Sequence, residues 1–381
     1  MEIPALKKEI VDLINKRGKI TFADFMELAL YHPEHGYYTS GKEKIGKRGD
    51  YYTSSDVHSV FGELIARQLE QMWRLLGSNR FTVVEIGAGK GWLCHDILSC
   101  IKNEYPEFFE KVDYKIVEIS RDLIERQSDT LKGFEEKVSW ESFSEGGFSF
   151  NPIEGCFLSN EFVDSLPVHQ VIVEDNCFKE IYVTTTDGVL SEKIDGLSNP
   201  ELENYFKELN INLRDGQRAE INLKALDWVK NISLCLNRGF VITIDYGHLA
   251  EDLYSEERHR GTLICYYEHT TSENPYERVG NQDITSHVNF SSIMEEGDRC
   301  GLSTTGFVRQ SNFLIALGIL NKMNDAQGDV SKLLTIKNLF LPGGMGDVFK
   351  VLIQHKGIDN PELIGLRSMS EPELAKEIEG L

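Results

Sequence analysis

The stretch VVEIGAGKGWL, residues 83–93, places a glycine-rich turn between two differently patterned segments. The run FTVVEIG that leads into it has the composition of a buried strand, and GWLCHDILSCIKNEY after it has the spacing of an amphipathic helix. Gly87, Gly89 and Gly91 would let a ligand approach the backbone closely at this turn. Because tight strand-to-helix turns also use glycine for structural reasons, the loop alone does not identify a ligand.

Outward from this loop, strand-like and helix-like segments alternate. DYKIVEIS (113–120) and the polar helix RDLIERQSDTLKGF (121–134) follow it, and EGCFLSNEFVDSLPV (154–168) and RGFVITIDYGH (238–248) supply further strand-like runs. Such alternation predicts an open α/β domain with a mostly parallel sheet. Residues 169–197 interrupt it with a pattern typical of an antiparallel β insertion. Near the amino terminus, Thr21 is expected to cap a helix.

Glu85 narrows the choice of ligand. A P-loop would require GxxxxGK[ST], which is absent here, and a dinucleotide fingerprint would place its third glycine one position later. A carboxylate two residues before the first glycine would repel a pyrophosphate and attract a cation. S-adenosylmethionine (SAM) carries a sulfonium and an ammonium and has no phosphate, so Glu85 favours SAM.

Glu118 supplies the second expected feature of a SAM site. It lies at the end of the next predicted strand, where an acid would accept hydrogen bonds from the ribose hydroxyls. The number of residues between the glycine loop and Glu118 exceeds the ~20 that are usual between such a loop and its acid. The extension NEYPEFFEKVD accounts for the difference. Together with the loop, these two acids favour SAM over a nicotinamide dinucleotide.

Several longer blocks resemble the MidA-type SAM-dependent methyltransferases, the family of the mitochondrial complex I assembly protein arginine methyltransferase and its bacterial relatives. The resemblance covers residues 19–356. Its blocks are ITFADFMELALYHPEHGYY, GDYYTSSDVHSVFGELIA, EIGAGKG, LSNEFVDSLPV, GFVITIDYGH, GTLICYYEHT, GNQDITSHVNFSSI and LPGGMGDVFKVLIQHK. The sequence differs slightly from the family's motifs around Tyr51 and Ser54–Asp56 and at Ser165.

The resemblance implies a class I methyltransferase fold, a Rossmann-like and mostly parallel sheet of seven strands with an N-terminal helical extension and a β insertion. We expect three regions. Residues 1–57 form a helical and loop segment that folds over the site, residues 58–357 form the methyltransferase domain, and residues 358–381 form a tail. Insertions are expected at about 169–223 and 250–298.

The block SNEFVDSLPV is expected to carry the catalytic residues Asn160, Glu161 and Asp164. It follows a predicted strand, and the carboxyl ends of parallel strands line the ligand crevice of an open α/β sheet. A guanidinium is fully protonated and a poor nucleophile, so carboxylates would be needed to orient it and to accept a proton. The alternative is structural, because Asn-Glu before an apolar turn is also a common helix start.

Later blocks supply candidate substrate-binding residues. Asp245 could orient a loop or contact substrate and Tyr246 could stack on the target, although a capping Asp before a turn at Gly247 explains IDYG equally well. Asp283 and His287, at i and i+4, are expected to share a helix face and to form a proton relay or part of the substrate pocket. Two such side chains do not make a metal site, and none is predicted.

The resemblance also assigns a role to GDYYTSSD, which without it is a Gly/Tyr-rich surface loop. It implies that this segment folds over the cofactor, with Gly49, Asp50 and Thr53 near the methionine end of SAM. The cofactor-binding set predicted from the whole chain is therefore Gly49, Asp50, Thr53, Glu85, Gly87, Gly89, Gly91 and Glu118.

Composition limits the partners and the compartment. The formal net charge of -21 over 381 residues argues against nucleic acid and would attract a basic substrate, such as a basic segment of a protein, although an acidic surface is also ordinary for a soluble cytosolic protein. Seven scattered cysteines without a CxxC pair suggest reduced thiols. No window is apolar enough for stable membrane insertion. The start of the chain has no signal or transit pattern, which favours a bacterial-type cytoplasm, or the mitochondrial matrix if a transit peptide has been removed.

The sequence therefore predicts a SAM-dependent methyltransferase. By resemblance the acceptor is an arginine of a partner protein, with a link to respiratory complex assembly. Three alternatives stay open: a methyltransferase with a small-molecule acceptor, a non-catalytic assembly factor that binds SAM or a partner protein, and an NAD-dependent dehydrogenase. These patterns do not encode the identity of the acceptor or the number of methyl groups added. They also do not encode the oligomeric state, for which a homodimer is one possibility.

Overall fold

A computed structural model describes residues 4–40, 59–144, 147–326, 328–341 and 343–368. The strands in chain order are β1 (Ile20–Thr21), β2 (Phe81–Ile86), β3 (Val112–Val117), β4 (Val138–Glu141), β5 (Phe143–Ser144), β6 (Gly147–Phe148), β7 (Ile153–Asn160), β8 (His169–Glu174), β9 (Cys177–Thr186), β10 (Val189–Asp195), β11 (Arg218–Ile221), β12 (Leu236–His248), β13 (Ile264–Tyr267), β14 (Thr270–Ser272), β15 (Asp283–Thr285), β16 (Val288–Asn289), β17 (Ser303–Arg309) and β18 (Phe349–Lys356).

The described residues also form helices. In chain order they are α1 (Ala5–Arg17), α2 (Phe22–Tyr31), α3 (Val60–Leu75), α4 (Trp92–Glu104), α5 (Pro106–Lys111), α6 (Arg121–Thr130), α7 (Glu201–Glu208), α8 (Leu223–Cys235), α9 (Ala250–Leu253), α10 (Phe290–Arg299), α11 (Gln310–Ala316), α12 (Ile319–Asp325), α13 (Val330–Phe340) and α14 (Met345–Val348). Single 3-10 turns lie at Val163–Ser165, Glu256–Arg258 and Ile364–Leu366. Within the described residues, no helix combines the length and apolar content that crossing a bilayer requires.

The chain divides into two compact units. One, here called the parallel-sheet unit, comprises Tyr52–Phe162, Val229–Tyr246 and Glu296–Leu381. The other, called the antiparallel-sheet unit, comprises Met1–Tyr51, Val163–Trp228 and Gly247–Glu295. The domain boundaries predicted from the sequence stay predictions.

The parallel-sheet unit is built on seven strands in the order β17-β18-β12-β7-β2-β3-β4. Strands β12, β7, β2, β3 and β4 pair in parallel, and β18 pairs antiparallel with both β12 and β17. Strand β2 is buried over most of its length because FTVVEI carries apolar side chains on both faces, as expected of a strand covered by helices. The predicted α/β fold with a largely parallel sheet is confirmed.

The antiparallel-sheet unit contains the predicted β insertion. Strands β8, β9 and β10 pair antiparallel, and β11 and β1 extend the same sheet. The expected cap at Thr21 is also present, because its side chain accepts a hydrogen bond from the Asp24 backbone N–H while Asp24 accepts one in return. Helices α1 and α2 then bury an apolar face that includes Ile10, Phe22 and Phe25.

Candidate active site

The parallel sheet reverses its strand order between β2 and β7. From β2 the chain proceeds to β3 and β4 on one side, whereas β7 and β12 lie on the other side. Ligands of open α/β sheets bind outside the carboxyl ends of the strands at such a switch point. The glycine loop follows β2, and Asn160 ends β7 directly beside it, since Ile86 pairs with Ser159. Two of the predicted blocks therefore meet at this edge.

The glycine loop has a backbone that other residues would not tolerate. Gly87 and Gly91 have φ values of 72° and 81°. A Cβ atom on Gly87 would lie 2.9 Å from the Phe162 ring, and one on Gly91 would lie 3.3 Å from Cγ of Gln127. Gly89 also has a positive φ. Glycine is therefore required at Gly87 and Gly91 because neighbouring side chains occupy the space that a Cβ atom would need, and the turn leads directly into helix α4.

Glu85 lies inside β2 and is buried, with 3% of its surface exposed. Its Oε2 accepts a hydrogen bond of 2.8 Å from the Tyr114 hydroxyl on the neighbouring strand. Burial raises the pKa of Glu85 to about 7, and the tyrosine bond opposes this rise. The charge of Glu85 therefore changes near neutral pH, so a nearby cation would favour its ionised form.

Glu118 follows β3, and both of its carboxylate oxygens are held. Oε1 accepts hydrogen bonds from the backbone N–H groups of Ile119 and Ser120, at 2.8 and 2.9 Å. Oε2 accepts one of 3.1 Å from the side-chain amide of Gln127. Burial raises the pKa of Glu118 above its ordinary value, and these bonds act in the opposite direction. The carboxylate is thus fixed in direction at the end of its strand.

Sequence reasoning missed Gln127. It is fully buried in the otherwise polar helix α6, where it also bonds to the Gly89 carbonyl. A signal was available, because Gln127 lies four residues after Leu123 and four before Leu131, on the apolar face of the helix. A polar residue at a core position is a marker of a specific hydrogen-bonding role.

Glu161 has an unusual backbone conformation immediately after β7. Its φ is 52°, which few non-glycine residues adopt and which is common at functional sites. Its N–H donates to the Ile244 carbonyl at 2.9 Å, and its Oε1 accepts a bond of 3.2 Å from the Asn160 amide. Asn160 is itself buried, and its Oδ1 has no hydrogen-bond partner among the described residues. Asn160 and Glu161 are therefore neighbours in space as well as in sequence.

Asp245 explains how the backbone after Glu161 is held. It lies fully buried in β12, and its Oδ2 accepts a bond of 3.2 Å from the Phe162 N–H. Its Oδ1 accepts a bond of 2.9 Å from the Tyr246 N–H. These bonds favour the loop-orienting alternative for Asp245. The Tyr246 ring packs edge-on against Phe349, with centroids 5.7 Å apart.

The antiparallel-sheet unit contains the other predicted acids. Asp164 is buried within a 3-10 turn, and its backbone carbonyl accepts a bond from the Ser286 N–H. The buried Asp283 accepts bonds from the Tyr38 hydroxyl and from its neighbour's backbone N–H. Burial, with the charges of Asp164 and Asp283 adding to it, raises the pKa of Tyr31 far above its ordinary value. Tyr31 stacks on Tyr38 at a centroid distance of 5.4 Å.

The predicted helix face shared by Asp283 and His287 is wrong. Asp283 begins strand β15, and His287 lies in the two-residue link between β15 and β16. Pairing with β13 keeps this segment extended, so the i,i+4 spacing does not bring the two side chains together. The His287 ring instead stacks on His248, with centroids 5.3 Å apart. Gly49, Asp50 and Thr53 lie outside the described residues.

A family model of S-adenosyl-L-methionine-dependent methyltransferases matches residues 64–308. The chain belongs to this family. The match includes the glycine loop, Glu118, the Asn160–Asp164 block and Asp245, and it confirms the resemblance drawn from the sequence. The protein is a SAM-dependent methyltransferase, and a dehydrogenase is thereby ruled out.

Similar proteins extend over almost the whole chain. Protein arginine methyltransferase NDUFAF7, mitochondrial, from Bos taurus is 28% identical over 386 residues, covering 92% of this chain and 83% of the relative. The Homo sapiens protein of the same name is 27% identical, covering 93% and 84%. Among solved structures, a COG1565 superfamily member from Burkholderia thailandensis bound to S-adenosyl-homocysteine is 29% identical, with a TM-score of 0.86 over 96% of this chain and 97% of that one.

The side chains of the parallel-sheet unit fit SAM. The glycine turn offers backbone groups at the start of helix α4, Glu118 offers an oriented carboxylate for ribose hydroxyls, and the Asn160 carbonyl is a buried acceptor without a partner among the described residues. Bound SAM supplies a methyl group made electrophilic by the adjoining sulfonium. In the methyltransferase these residues would bind and orient SAM, and Glu161 lies at the same edge of the sheet.

Changing Glu118 to alanine should weaken binding of SAM to the methyltransferase by between about 10-fold and 100-fold, because hydrogen bonds to a charged group are lost. Isothermal titration calorimetry measures the change directly. Glu125→Ala, an exposed position on α6, is the matched control and should bind as the wild type does. Unchanged affinity in Glu118→Ala would remove Glu118 from the cofactor site.

Proposed function

We propose that this methyltransferase transfers the methyl group of SAM to an arginine side chain of a partner protein. The observation that carries the proposal is Glu161, a carboxylate held at a positive φ at the carboxyl end of β7 beside the glycine loop. The bovine and human relatives bear the name protein arginine methyltransferase, which supports the same acceptor. The net charge of -21 favours a basic segment as the docking partner.

The chemistry that arginine requires matches these residues. A guanidinium nitrogen attacks the methyl carbon while the bond from carbon to sulfur breaks, which leaves S-adenosylhomocysteine and a proton to be removed. Glu161 would pair with the guanidinium, concentrate electron density on the attacking nitrogen and accept that proton. We assign Asn160 to holding the Glu161 carboxylate, to which it donates a hydrogen bond. Asp164 is the second carboxylate of the proposal.

The remaining assignments are proposals of the same kind. Asp245 orients the backbone after Glu161, and Tyr246, Asp283 and His287 contribute to the substrate pocket. Glu85 and the glycines bind SAM, and Gly49, Asp50 and Thr53 are proposed at its methionine end. We also propose the cytoplasm as the compartment, although the mammalian relatives are named as mitochondrial. All seven cysteines are free, which suits either reducing compartment.

Tritium transfer tests the acceptor. The enzyme is incubated with SAM labelled in its methyl group and with a Gly/Arg-rich peptide, a matched Gly/Lys-rich peptide, or a cell extract separated into protein and small-molecule fractions. We expect label in protein or in the arginine peptide, recovered as methylarginine after acid hydrolysis. Label in the small-molecule fraction or in lysine would contradict the proposal. Tight SAM binding without any transfer would instead support a non-catalytic assembly factor.

A further inference from the structure

The amide of Gln127 hydrogen-bonds three neighbours, two of which are predicted cofactor-binding residues. Its Nε2 donates to the Gly89 carbonyl at 2.9 Å and to Oε2 of Glu118 at 3.1 Å, and its Oε1 accepts a bond of 2.8 Å from the Trp140 indole N–H. All four residues belong to the parallel-sheet unit. One neutral side chain therefore connects the glycine loop, the acid after β3 and strand β4.

The orientation of this amide follows from chemistry. An indole N–H can only donate, so the atom of Gln127 that faces Trp140 must be the carbonyl oxygen. The amino group then faces Gly89 and Glu118, both of which offer only acceptors to it. No other assignment of the two ends satisfies all three neighbours. Trp140 thus fixes which way the amide points.

Gln127 also positions the Glu118 oxygen that can accept a further hydrogen bond. Oε1 already accepts two backbone N–H bonds, whereas Oε2 accepts only the bond from Gln127. A carboxylate offers about four acceptor positions in total. A ribose hydroxyl would therefore be received mainly at Oε2, whose position depends on Gln127.

Packing couples the same residue to the loop. A Cβ atom on Gly91 would lie 3.3 Å from Cγ of Gln127, so the loop backbone rests directly against this side chain. Gln127 thus contacts the loop at Gly91 and hydrogen-bonds it at Gly89. Methionine at this position would keep the packing against Gly91, so its main effect would be the loss of the bond that sets the Glu118 carboxylate.

We propose that Gln127 is a positioning residue for the cofactor, which sets the Glu118 carboxylate for the ribose hydroxyls and ties it to the glycine loop. This inference concerns SAM binding, and it is independent of whether arginine is the acceptor. Gln127 acts through Glu118 and the loop backbone, so its effect should appear in the part of the affinity that depends on the ribose hydroxyls.

The test compares two ligands by calorimetry: S-adenosylhomocysteine and its 2′,3′-dideoxy analogue, which lacks both ribose hydroxyls. Gln127→Met keeps the length of the side chain and removes all three hydrogen bonds. We expect it to weaken S-adenosylhomocysteine about 10-fold or more and the dideoxy analogue less than about threefold. Ser128→Ala, an exposed change on the same helix, should alter neither affinity.

A second variant keeps the acceptor of the amide and removes its donor. Gln127→Glu keeps an acceptor for Trp140 but places a carboxylate against Glu118, so it should weaken S-adenosylhomocysteine more than Gln127→Met does. The indole N–H resonance of Trp140, assigned with Trp140→Phe, reports whether that local bond survives. Equal losses for both ligands would mean a merely structural role and would overturn the proposal. Unchanged affinities in both variants would overturn it as well.

Discussion

Glu161→Gln should reduce methyl transfer by about 1,000-fold and change the affinity for SAM by less than about threefold. Glutamine has the shape of glutamate and can still accept the bond from Asn160 that Glu161 Oε1 accepts at 3.2 Å. It cannot accept a proton from a guanidinium or pair with its charge. The transfer rate is measured with the acceptor found by tritium labelling, and the affinity by calorimetry.

Glu161→Gly separates lost chemistry from lost folding. Glycine adopts the φ of 52° found at this position at little cost, whereas glutamate in this conformation is strained by on the order of 1 kcal/mol. The glycine variant should therefore be at least as stable as the wild type and equally inactive. If Glu161→Gln retained more than about a tenth of the wild-type rate, Glu161 would not be the proton acceptor, and Asp164 would be the next residue to test.

The strain at Glu161 is maintained by long-range contacts that the sequence does not display. Its N–H is fixed by Ile244 and the next N–H by Asp245, both on β12 and more than eighty residues away. From the sequence, SNEFVDSLPV predicted acids at a sheet edge because the block follows a strand. The neighbouring strand that fixes their conformation becomes visible only in the paired sheet.

The positions of the glycine loop and Glu118 in the fold were the most predictable part of the candidate site. Each follows the end of a strand, and the strand pattern predicted both places. Gln127 was missed because its partners are Gly89 and Trp140, one 38 residues before it and the other on a separate strand. The local sequence pattern around a residue predicts whether the residue is buried better than it predicts which groups it hydrogen-bonds.

The acids of the antiparallel-sheet unit were less predictable. The i,i+4 spacing of Asp283 and His287 suggested a helix, but the segment between them forms a short strand that β13 holds extended. The bond from Tyr38 to Asp283 joins residues 245 positions apart. Contacts of that separation depend on the tertiary fold, which outweighs local periodicity in short segments.

Glu85→Gln should stabilise the protein at pH 8 and weaken its binding of SAM. The pKa of Glu85 is raised from 4.5 to about 7 by burial. Between these two values the unfolded chain has released its proton while the folded chain retains it, so stability falls as the pH rises through this window. The shift corresponds to a cost of about 3 kcal/mol at pH 8, on the order of 1.4 kcal/mol for each pKa unit. Glutamine removes the titration and can still accept the Tyr114 hydroxyl bond.

Urea unfolding at pH 5 and pH 8 measures the first effect. The variant should be about 1–3 kcal/mol more stable than the wild type at pH 8 and close to it at pH 5, where the folded wild type is protonated. Glu125→Gln, an exposed matched change on α6, should show no such difference between the two pH values. An equal gain at both pH values would mean that packing rather than charge explains the effect.

Calorimetry tests whether the Glu85 carboxylate, which destabilises the fold at pH 8, contributes to SAM binding. A cation beside Glu85 would favour its ionised form, so wild-type affinity for SAM should increase between pH 6 and pH 8, with proton release on binding. S-adenosylhomocysteine lacks the sulfonium charge and should show a smaller increase. In Glu85→Gln the increase should disappear for both ligands. A variant that gained stability and kept this pH dependence would show that another group senses the cofactor's charge. A variant that gained stability and lost the pH dependence of SAM affinity would identify Glu85 as a residue whose charge destabilises the fold and binds the methyl donor.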